Sequence, residues 1–269
     1  MTGARRRPVP WSLRAAFERE AAELLGEAGA ALPPVDESDL EGLPAVVASY
    51  LRFVGVVGRP RVASYGVRFR GGLRNDPVSP WLEVDVEQVS TADPPARLFL
   101  AEGSKAGLPV AAYHRYVGSE ATFRVKAASV LTLVRAEGAE MTRSETVTLL
   151  NDMCLLAPAT LLGPGLAWEE RDARSVRVTF ANGTYSVSAL LEFDAAGALA
   201  DFVSDDRSRT VDGKSYERLT WSTPVRSWRT FGGMRLPGEA EAAWGPRESR
   251  WVYARFEVLD ARFNVGPRA

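Results

Sequence analysis

Residues 175–193 read SVRVTFANGTYSVSALLEF, and this stretch decides the fold class. Apolar and polar residues alternate through both of its halves, which predicts two strands that each bury one face. Asn182-Gly183 separates the halves, and this dipeptide between alternating runs is the strongest short signal for a two-residue β-hairpin turn. The stretch therefore predicts an antiparallel hairpin.

The same alternation recurs along most of the chain. Leu82, Val84 and Val86, for example, alternate with acidic residues. Turn residues separate further runs of this kind, which cover 61–70, 96–102, 110–118, 120–126, 129–136, 198–206, 215–222, 225–231, 238–244 and 249–263. So many strands at this spacing predict a mainly β fold with one meandering antiparallel sheet, and sheets this long curl or close.

Three segments have helical spacing instead, and they are residues 12–29, 44–54 and 143–157. Ser12 is the expected N-cap of the first helix and Gly29 its expected stop. Because the third helix separates two β halves, we expect it to lie in the concave face of a half-barrel and to leave a cavity there. We divide the chain into an N-terminal tail, helix and linker (1–38) and a single curved-sheet domain (39–269).

Charge and motifs exclude several functional classes. The 33 basic and 34 acidic residues are interspersed, whereas a nucleic-acid-binding protein has a basic excess on one face. The chain has no G-x-G-x-x-G, no Walker A loop, no H-E-x-x-H and no C-x-x-C, so we expect no nucleotide, metal or other cofactor. Partners are therefore expected among small molecules, with no nucleic acid.

Cys154 is the only cysteine, so no intramolecular disulfide can form. The start of the chain lacks the apolar core of a signal peptide, and no run of about 18 apolar residues could span a membrane. A reducing compartment suits such a chain. We therefore expect a cytoplasmic protein with no membrane span.

The third helix carries the most informative polar pattern. Five polar residues recur at i, i+4 and i+7 or i+8, so they form one stripe, and they are Ser144, Glu145, Thr148, Asn151 and Asp152. One hypothesis is that this stripe points carboxylates into a cavity, with Glu145 and Asp152 as catalytic groups and Asn151 as a ligand contact. An ordinary solvated helix face is the alternative. Glu145 and Asp152 lie about 10 Å apart along the axis, too far to share a proton unless they lean together.

A third carboxylate ends a predicted strand. Asp206 shares a face with Phe202 and Ser204, so its side chain is expected to point inward. One interpretation is a general base whose pKa is raised by an apolar cup. The other is a structural ion pair or strand-end turn, with Arg207 or Arg209 as the partner.

His114 is the only histidine, and it shares a strand face with Tyr116. Because no G-x-S-x-G elbow supplies a nucleophile, a core or surface histidine is the simpler interpretation. A ligand contact by His114 and Tyr116 is the functional alternative.

Aromatic residues are frequent on the last strands, and Trp221 is among them. Such rings either line a ligand cavity or fill a core. Arg235 and Glu239 flank Pro237-Gly238 at an expected loop, where they would form a salt bridge at the mouth of the cup or hold a ligand. Arg207, Trp221, Arg235 and Glu239 therefore join the expected ligand-binding set.

Several short stretches together resemble a bacterial domain family of unknown function. They are Leu43-Pro44, Phe53 to Gly58, Gly107 to Val110, Arg115-Tyr116-Val117, Asn151-Asp152-Met153, Pro158-Ala159, Phe202 to Arg207, Trp221 to Pro224, and Arg235 to Ala240. The resemblance covers about residues 43–264. Its strand-rich layout is similar to the half-barrel of lipoprotein carriers (LolA-like), which implies a curved sheet that cups an apolar ligand. This chain departs from those carriers in having no export signal at its start.

Three functional hypotheses remain open. The first is a module that binds a lipid- or polyketide-like small molecule in a sheet-lined cavity. The second is a cofactor-independent enzyme of the cyclase, isomerase or lyase type that acts on such a molecule. The third is an interaction protein whose first helix docks a partner or a second copy, forming a homodimer.

Overall fold

The structure, a computed structural model, describes residues 9–26 and 32–266. Its helices are α1 (Leu13–Gly26), α2 (Ala45–Val54) and α3 (Ala139–Leu155). The strands before α3 are β1 (Ser64–Leu73), β2 (Leu82–Ala92), β3 (Pro95–Lys105), β4 (Leu108–Val117), β5 (Glu120–Ala127) and β6 (Leu131–Glu137). Those after it are β7 (Leu166–Asp172), β8 (Ser175–Asn182), β9 (Tyr185–Phe193), β10 (Leu199–Ser204), β11 (Ser208–Arg209), β12 (Glu217–Arg218), β13 (Trp221–Ser222), β14 (Val225–Phe231), β15 (Met234–Trp244) and β16 (Trp251–Phe263).

Fourteen strands form one antiparallel sheet. Thirteen of them follow a continuous path in the order β6-β5-β4-β3-β2-β1-β16-β15-β13-β10-β9-β8-β7, and β14 branches off beside β15. The predicted mainly β, half-barrel fold is confirmed.

Helix α3 connects β6 to β7, which are the two edges of this path. It contacts β5 and β6 from one half of the sheet and β9 and β10 from the other. A helix can touch both halves at once only if the sheet curves around it, and long twisted sheets do curl in this way. The helix therefore lies in the concave face, as the sequence predicted.

Helix α1 packs on the opposite, convex face. Its Leu13, Phe17 and Leu25 form a separate small core with Leu98 and Leu100 of β3. Strand β3 is consequently covered on both faces. The helix begins where the sequence predicted, because the Ser12 hydroxyl oxygen accepts a hydrogen bond from the Ala15 N–H at 3.1 Å.

Some predicted boundaries differ from the observed ones. The end of the first helix was expected at Gly29, which lies outside the described residues, and the last described helical residue is Gly26. Helix α3 starts four residues before position 143, directly after Gly138. The turn of the β8–β9 hairpin is shifted by one residue: Asn182 stays in the ladder opposite Tyr185, and Gly183 takes the left-handed conformation with φ 59°.

The strand predicted over residues 215–222 is two short strands on different sheets. Strand β12 pairs with β11 in a separate two-stranded ribbon, and β13 belongs to the main sheet. The chain leaves the sheet after β10, forms a flap (residues 205–220) and returns. Gly213 brings the flap against β6, where a β-carbon would collide with the Arg135 carbonyl. The flap thus bridges the two halves of the sheet.

Candidate functional site

The polar stripe of α3 is buried. Glu145 is 1% exposed and Asp152 is 6% exposed, and Ser144, Thr148 and Asn151 are buried with them. An ordinary solvated face is therefore excluded for this stripe. Carboxylates in such a position need charged or hydrogen-bonding partners.

Glu145 lies among two arginines and a histidine from different parts of the chain. Its carboxylate oxygens are 3.1 Å from Arg97 Nη1, 3.4 Å from Arg207 Nη2 and 3.2 Å from His114 Nδ1. These residues come from β3, from the flap and from β4. Burial by itself would raise the pKa of Glu145, but the charges of His114, Arg97 and Arg207 hold that pKa well below its ordinary value.

Asp152 lies two turns further along the same helix. Its Oδ2 accepts hydrogen bonds from Arg97 Nε at 2.6 Å and from Gln88 Nε2 at 2.7 Å. Burial raises the pKa of this carboxyl, and Arg97 only partly offsets it. The two carboxylates therefore do not share a proton; they share Arg97, whose guanidinium spans the gap between them.

Aromatic rings hold the cations in position. His114 stacks on Phe123, with ring centroids 4.0 Å apart, and the Arg97 guanidinium lies over Phe99 at 4.7 Å. Cations are attracted to the faces of aromatic rings, most strongly to that of tryptophan.

Arg207 lies over two tryptophans, at 4.5 Å from the Trp221 ring and 5.1 Å from the Trp244 ring. Its Nε donates to the Thr148 hydroxyl at 3.1 Å, which anchors the flap to α3. We call Glu145, Asp152, Arg97, His114 and Arg207 the Glu145 cluster.

A cavity of about 550 Å³ lies between α3 and the concave face of the sheet, and the Glu145 cluster lines one part of it. Its remaining wall is largely aliphatic and aromatic. The apolar lining comprises Phe69, Leu73, Leu82, Phe99, Ala101, Val110, Ala112, Phe123, Val125, Val134, Trp244, Trp251, Phe256 and Val258.

The cavity runs along strand β3 from a buried end to an exposed end. Arg97, Phe99, Ala101 and Lys105 line it in that order, from a buried arginine to an exposed lysine. Over the eight steps from Arg97 to Lys105 the strand advances about 26 Å. The exposed end of β3 lies where loop 74–81, turn 106–107 and turn 128–130 join neighbouring strands. We call this the hairpin end, and the cavity opens there.

Six predicted site residues line the cavity: Asn151, Arg207, Trp221, His114, Glu145 and Asp152. Asn151 Nδ2 donates to the Thr223 hydroxyl at 2.6 Å, and Trp221 Nε1 donates to the Tyr253 hydroxyl at 3.0 Å. Asn151 is thus fixed by the connection between β13 and β14, and Trp221 by β16.

Asp206 lies outside the cavity, so the expectation that its carboxylate points inward is wrong. It accepts hydrogen bonds from the Ser188 N–H and hydroxyl, and it pairs with Arg218 and, at 3.7 Å, with Arg143. Neither Arg207 nor Arg209 is its partner. The chain turns at the end of β10, which directs Asp206 and its neighbour Arg207 to opposite sides.

Tyr116 is buried but does not line the cavity. Its hydroxyl accepts a hydrogen bond from Asn182 Nδ2 at 2.8 Å and lies 3.2 Å from the Thr146 hydroxyl. Strand β4 carries it past His114, so that it lies opposite Arg97 in the β3–β4 register, towards the end of the sheet opposite the hairpin end. There it joins α3 to the β8–β9 hairpin.

Arg235 and Glu239 also lie away from the cavity, and the salt bridge predicted between them is not formed. Arg235 Nη1 donates to the Phe53 carbonyl at 3.1 Å, and Glu239 stands opposite Glu257 in the β15–β16 register. The predicted loop between them is part of β15, a continuous strand. Both side chains are exposed, but four residues of extended strand place them about 13 Å apart, whereas a loop would have brought them together.

The sequence patterns did not single out Arg97, Gln88, Phe99 or Phe123. A signal was present in β3, where Arg97 shares a strand face with Phe99 and Ala101. A single charge on an apolar face predicts a buried ion pair. Leu98 and Leu100, which face α1, make this stretch apolar on both faces, so the alternation is not apparent in the sequence.

Three further features of the described part of the chain concern metal ligands, the cysteine and membrane-spanning helices. Residues 9–26 and 32–266 contain no group of three or more His, Cys, Asp or Glu side chains that could hold a metal ion. Cys154 is fully buried, and burial raises the pKa of its thiol, as does the charge of Asp152. None of the helices in these ranges is both long and apolar enough to cross a membrane.

No curated protein matches the sequence. Among solved structures, the fold is similar to a crystal structure from Vibrio parahaemolyticus, of a domain named for outer membrane lipoprotein sorting. The two are 9% identical, the alignment covers 77% of this chain and 87% of that chain, and the TM-score is 0.41. A similarity this distant carries no inference about function. The predicted membership is confirmed by the sequence itself: residues 33–256 match the family of unknown function DUF6544, and the chain belongs to that family.

Proposed function

We propose that the protein binds a mainly hydrophobic small molecule, of lipid or polyketide type, with one polar end. The observation that carries this proposal is the distribution of charge in the cavity: the Glu145 cluster lies at the inner part, and apolar side chains line the path to the hairpin end. A cavity of about 550 Å³ is within the range of small-molecule sites. The polar end of the ligand would face the cluster, and its apolar body would lie along β3–β5.

The two arginines have donors left for a ligand. Arg97 uses Nε and Nη1 in its hydrogen bonds to described residues, and Arg207 uses Nε and Nη2. One Nη of each guanidinium therefore has no hydrogen-bond partner among these residues. Oxygen acceptors on the ligand, such as a carbonyl or carboxyl group, match these donors.

The test is a pair of variants on one strand. Val125 lines the cavity, and Thr122 of the same strand is on the other face. Val125→Trp should fill the cavity and abolish the retention of small molecules, read by native mass spectrometry of freshly purified protein and by binding of a fluorescent fatty-acid analogue. Thr122→Trp should bind like the wild type. Equal binding by both variants would refute a site in this cavity.

A second candidate function is a cofactor-independent enzyme of the cyclase, isomerase or lyase type, with the same cavity as its active site. The contact that favours it is His114 Nδ1 at 3.2 Å from Glu145. This contact is an ion pair and not a hydrogen bond. A carboxylate next to an imidazole is a recurring device of general acid–base catalysis. His114→Gln should then keep ligand binding but lose conversion of the bound molecule, followed by mass spectrometry. Unchanged conversion would exclude His114 as the base.

Two further predictions stay proposals. The cytoplasm is the proposed compartment, because a lone cysteine suits a reducing environment. A homodimer formed through α1 is the proposed assembly if the protein self-associates. In the described chain, one face of α1 covers β3 of its own sheet, so a dimer through this helix would use its exposed face or exchange α1 between copies.

A further inference from the structure

Exposed apolar side chains concentrate at the hairpin end. Val78 is 94% exposed, Val130 69% and Leu108 57%, and they stand on or directly beside the three connections at this end of β1–β6. Leu131 and Leu133 follow on β6, and Val211 stands on the flap. Exposed apolar residues that occur singly need no explanation, but a group of this kind marks an interaction site.

The lysines of the chain lie beside these same residues. The sequence has only three lysines among its 33 basic residues, and they are Lys105, Lys126 and Lys214. Lys105 precedes the turn to Leu108, Lys126 precedes turn 128–130, and Lys214 follows Val211 on the flap. Everywhere else the chain uses arginine. Lysine has a long flexible stem and a compact charge, which suits a side chain that reaches from an apolar contact into a polar layer.

Acidic residues on the same loops are engaged in their own turns. Asp76 accepts the N–H groups of Val78 and Ser79, and Asp212 accepts those of Lys214 and Ser215. These hydrogen bonds lower the pKa of Asp212 to about 2, so it stays ionised. Charge at the hairpin end is therefore mixed, and the exposed apolar side chains must supply most of the binding free energy.

The group is continuous with the mouth of the cavity. Lys105, Leu133 and Val211 line the cavity and are also exposed. Arg209 of the flap donates to the Asn75 carbonyl at 2.7 Å, which joins the flap to loop 74–81 around the opening. Whatever the hairpin end contacts therefore lies directly before the mouth.

We propose that the hairpin end docks on a lipid surface that contains anionic headgroups. The apolar residues stand on separate turns and a flap, so each can enter the boundary between headgroups and acyl chains by itself. A protein interface would instead need a contiguous, closely packed core. Lys105 and Lys214 would contact lipid phosphates, and Lys126 would join them by giving up the hydrogen bond that its Nζ donates to the Trp11 carbonyl at 3.2 Å. Each lysine would contribute a modest attraction that salt screens. This inference goes beyond ligand binding, because docking does not require an occupied cavity.

The experiment is flotation of the full-length protein with vesicles of phosphatidylcholine, with and without phosphatidylglycerol. The wild type should float with the vesicles, more strongly when phosphatidylglycerol is present. The double variant Val130→Ser/Leu131→Ser should lower the partition coefficient about tenfold, because two apolar side chains no longer enter the lipid. Replacing the three lysines by Gln should remove the preference for phosphatidylglycerol.

Leu32→Ser is the matched control. Leu32 is exposed, and it precedes Pro33, whose carbonyl accepts the Arg61 N–H at the end of the sheet opposite the hairpin end. This variant should float like the wild type. An equal loss in Leu32→Ser, or a wild type that stays with the soluble fraction, would overturn the proposal. So would a wild-type dimer that Val130→Ser/Leu131→Ser converts to a monomer, because the patch would then bind a second copy.

The proposal and the ligand-binding function fail separately. Val130→Ser/Leu131→Ser should retain the fluorescent fatty-acid analogue and an unchanged circular dichroism spectrum. Val125→Trp should float with vesicles although its cavity is filled. Loss of vesicle binding in Val125→Trp with the fold intact would mean that the bound molecule, and not the hairpin end, contacts the lipid.

Discussion

The two halves of the concave face have the same alternating pattern but different interiors. In the half formed by β8–β10, the inward-facing Val178, Ala189 and Leu191 are fully buried in the main core. In the half formed by β3–β5, Phe123 and Val125 face inward too, yet they are only half-buried and border the cavity. Alternation therefore decides which side chains face inward, but not whether anything packs against them.

The position of α3 accounts for the difference. The helix lies against β9 and β10 in the packed half, and in the other half it contacts mainly the edge strands β5 and β6. From β2 and β3, the long side chains of Gln88 and Arg97 reach across to Asp152 of α3. Buried arginines and carboxylates hold the helix away from the sheet here, whereas apolar contact draws it onto the other half.

Among the changes that test this comparison, removing the charge of Glu145 should lower the free energy of unfolding most. Glu145→Gln would leave Arg97, Arg207 and His114 without their shared anion, and breaking a buried ion pair in this way costs about 3–5 kcal/mol. Urea denaturation gives the free energy of unfolding. Asp206→Asn is the control, because Asp206 is partly exposed outside the cavity and should lose only about 1 kcal/mol. Equal losses in Glu145→Gln and Asp206→Asn would mean that the buried Glu145 cluster contributes no more to stability than a partly exposed ion pair outside the cavity.

Truncating one aliphatic side chain in each half of the sheet should have the next largest effect on the free energy of unfolding. Leu191→Ala in the packed half should lower the free energy of unfolding by about 3 kcal/mol, because it leaves a void in a close-packed core. Val125→Ala should cost less than about 1 kcal/mol, since its side chain already borders empty space. Urea denaturation of both variants measures the contrast. A loss in Val125→Ala as large as that in Leu191→Ala would indicate that this half is packed as well.

The pH dependence of stability should show the smallest effect. The folded-state pKa of Glu145 lies below its ordinary value of 4.5, so the unfolded chain binds more protons as the pH falls. Stability from this group is therefore present above about pH 5 and decreases below it, by about 2 kcal/mol down to about pH 3. Glu145→Gln should flatten that acid-side decrease in urea denaturation at several pH values.

Asp152 should act in the opposite direction. Its folded-state pKa is raised, so the folded chain binds more protons and stability decreases as the pH rises through that value. Asp152→Asn should remove this opposing contribution and make the acid-side decrease steeper than in the wild type. A flatter profile in Asp152→Asn would show that Arg97, rather than burial, dominates at this carboxyl.

Part of the candidate site could be predicted from the sequence, and the reason is local geometry. Glu145, Asn151 and Asp152 share a stripe because an α-helix repeats every 3.6 residues, and this holds wherever the helix lies. Asp206, Arg235 and Glu239 were misplaced because their orientation depends on where a strand or turn ends. Such boundaries are set by pairing with distant strands.

The sequence by itself determined that strands alternate, that a helix separates two β halves and that this helix carries a polar stripe. Only the tertiary structure decided that this stripe is buried and that a cavity lies against one half of the sheet. It also decided that Arg97, 48 residues before Glu145 in sequence, lies 3.1 Å from it in space. Periodicity is a property of a single element, whereas a buried charge pair and a cavity exist only between elements. The curvature of the sheet around α3 brings those elements together.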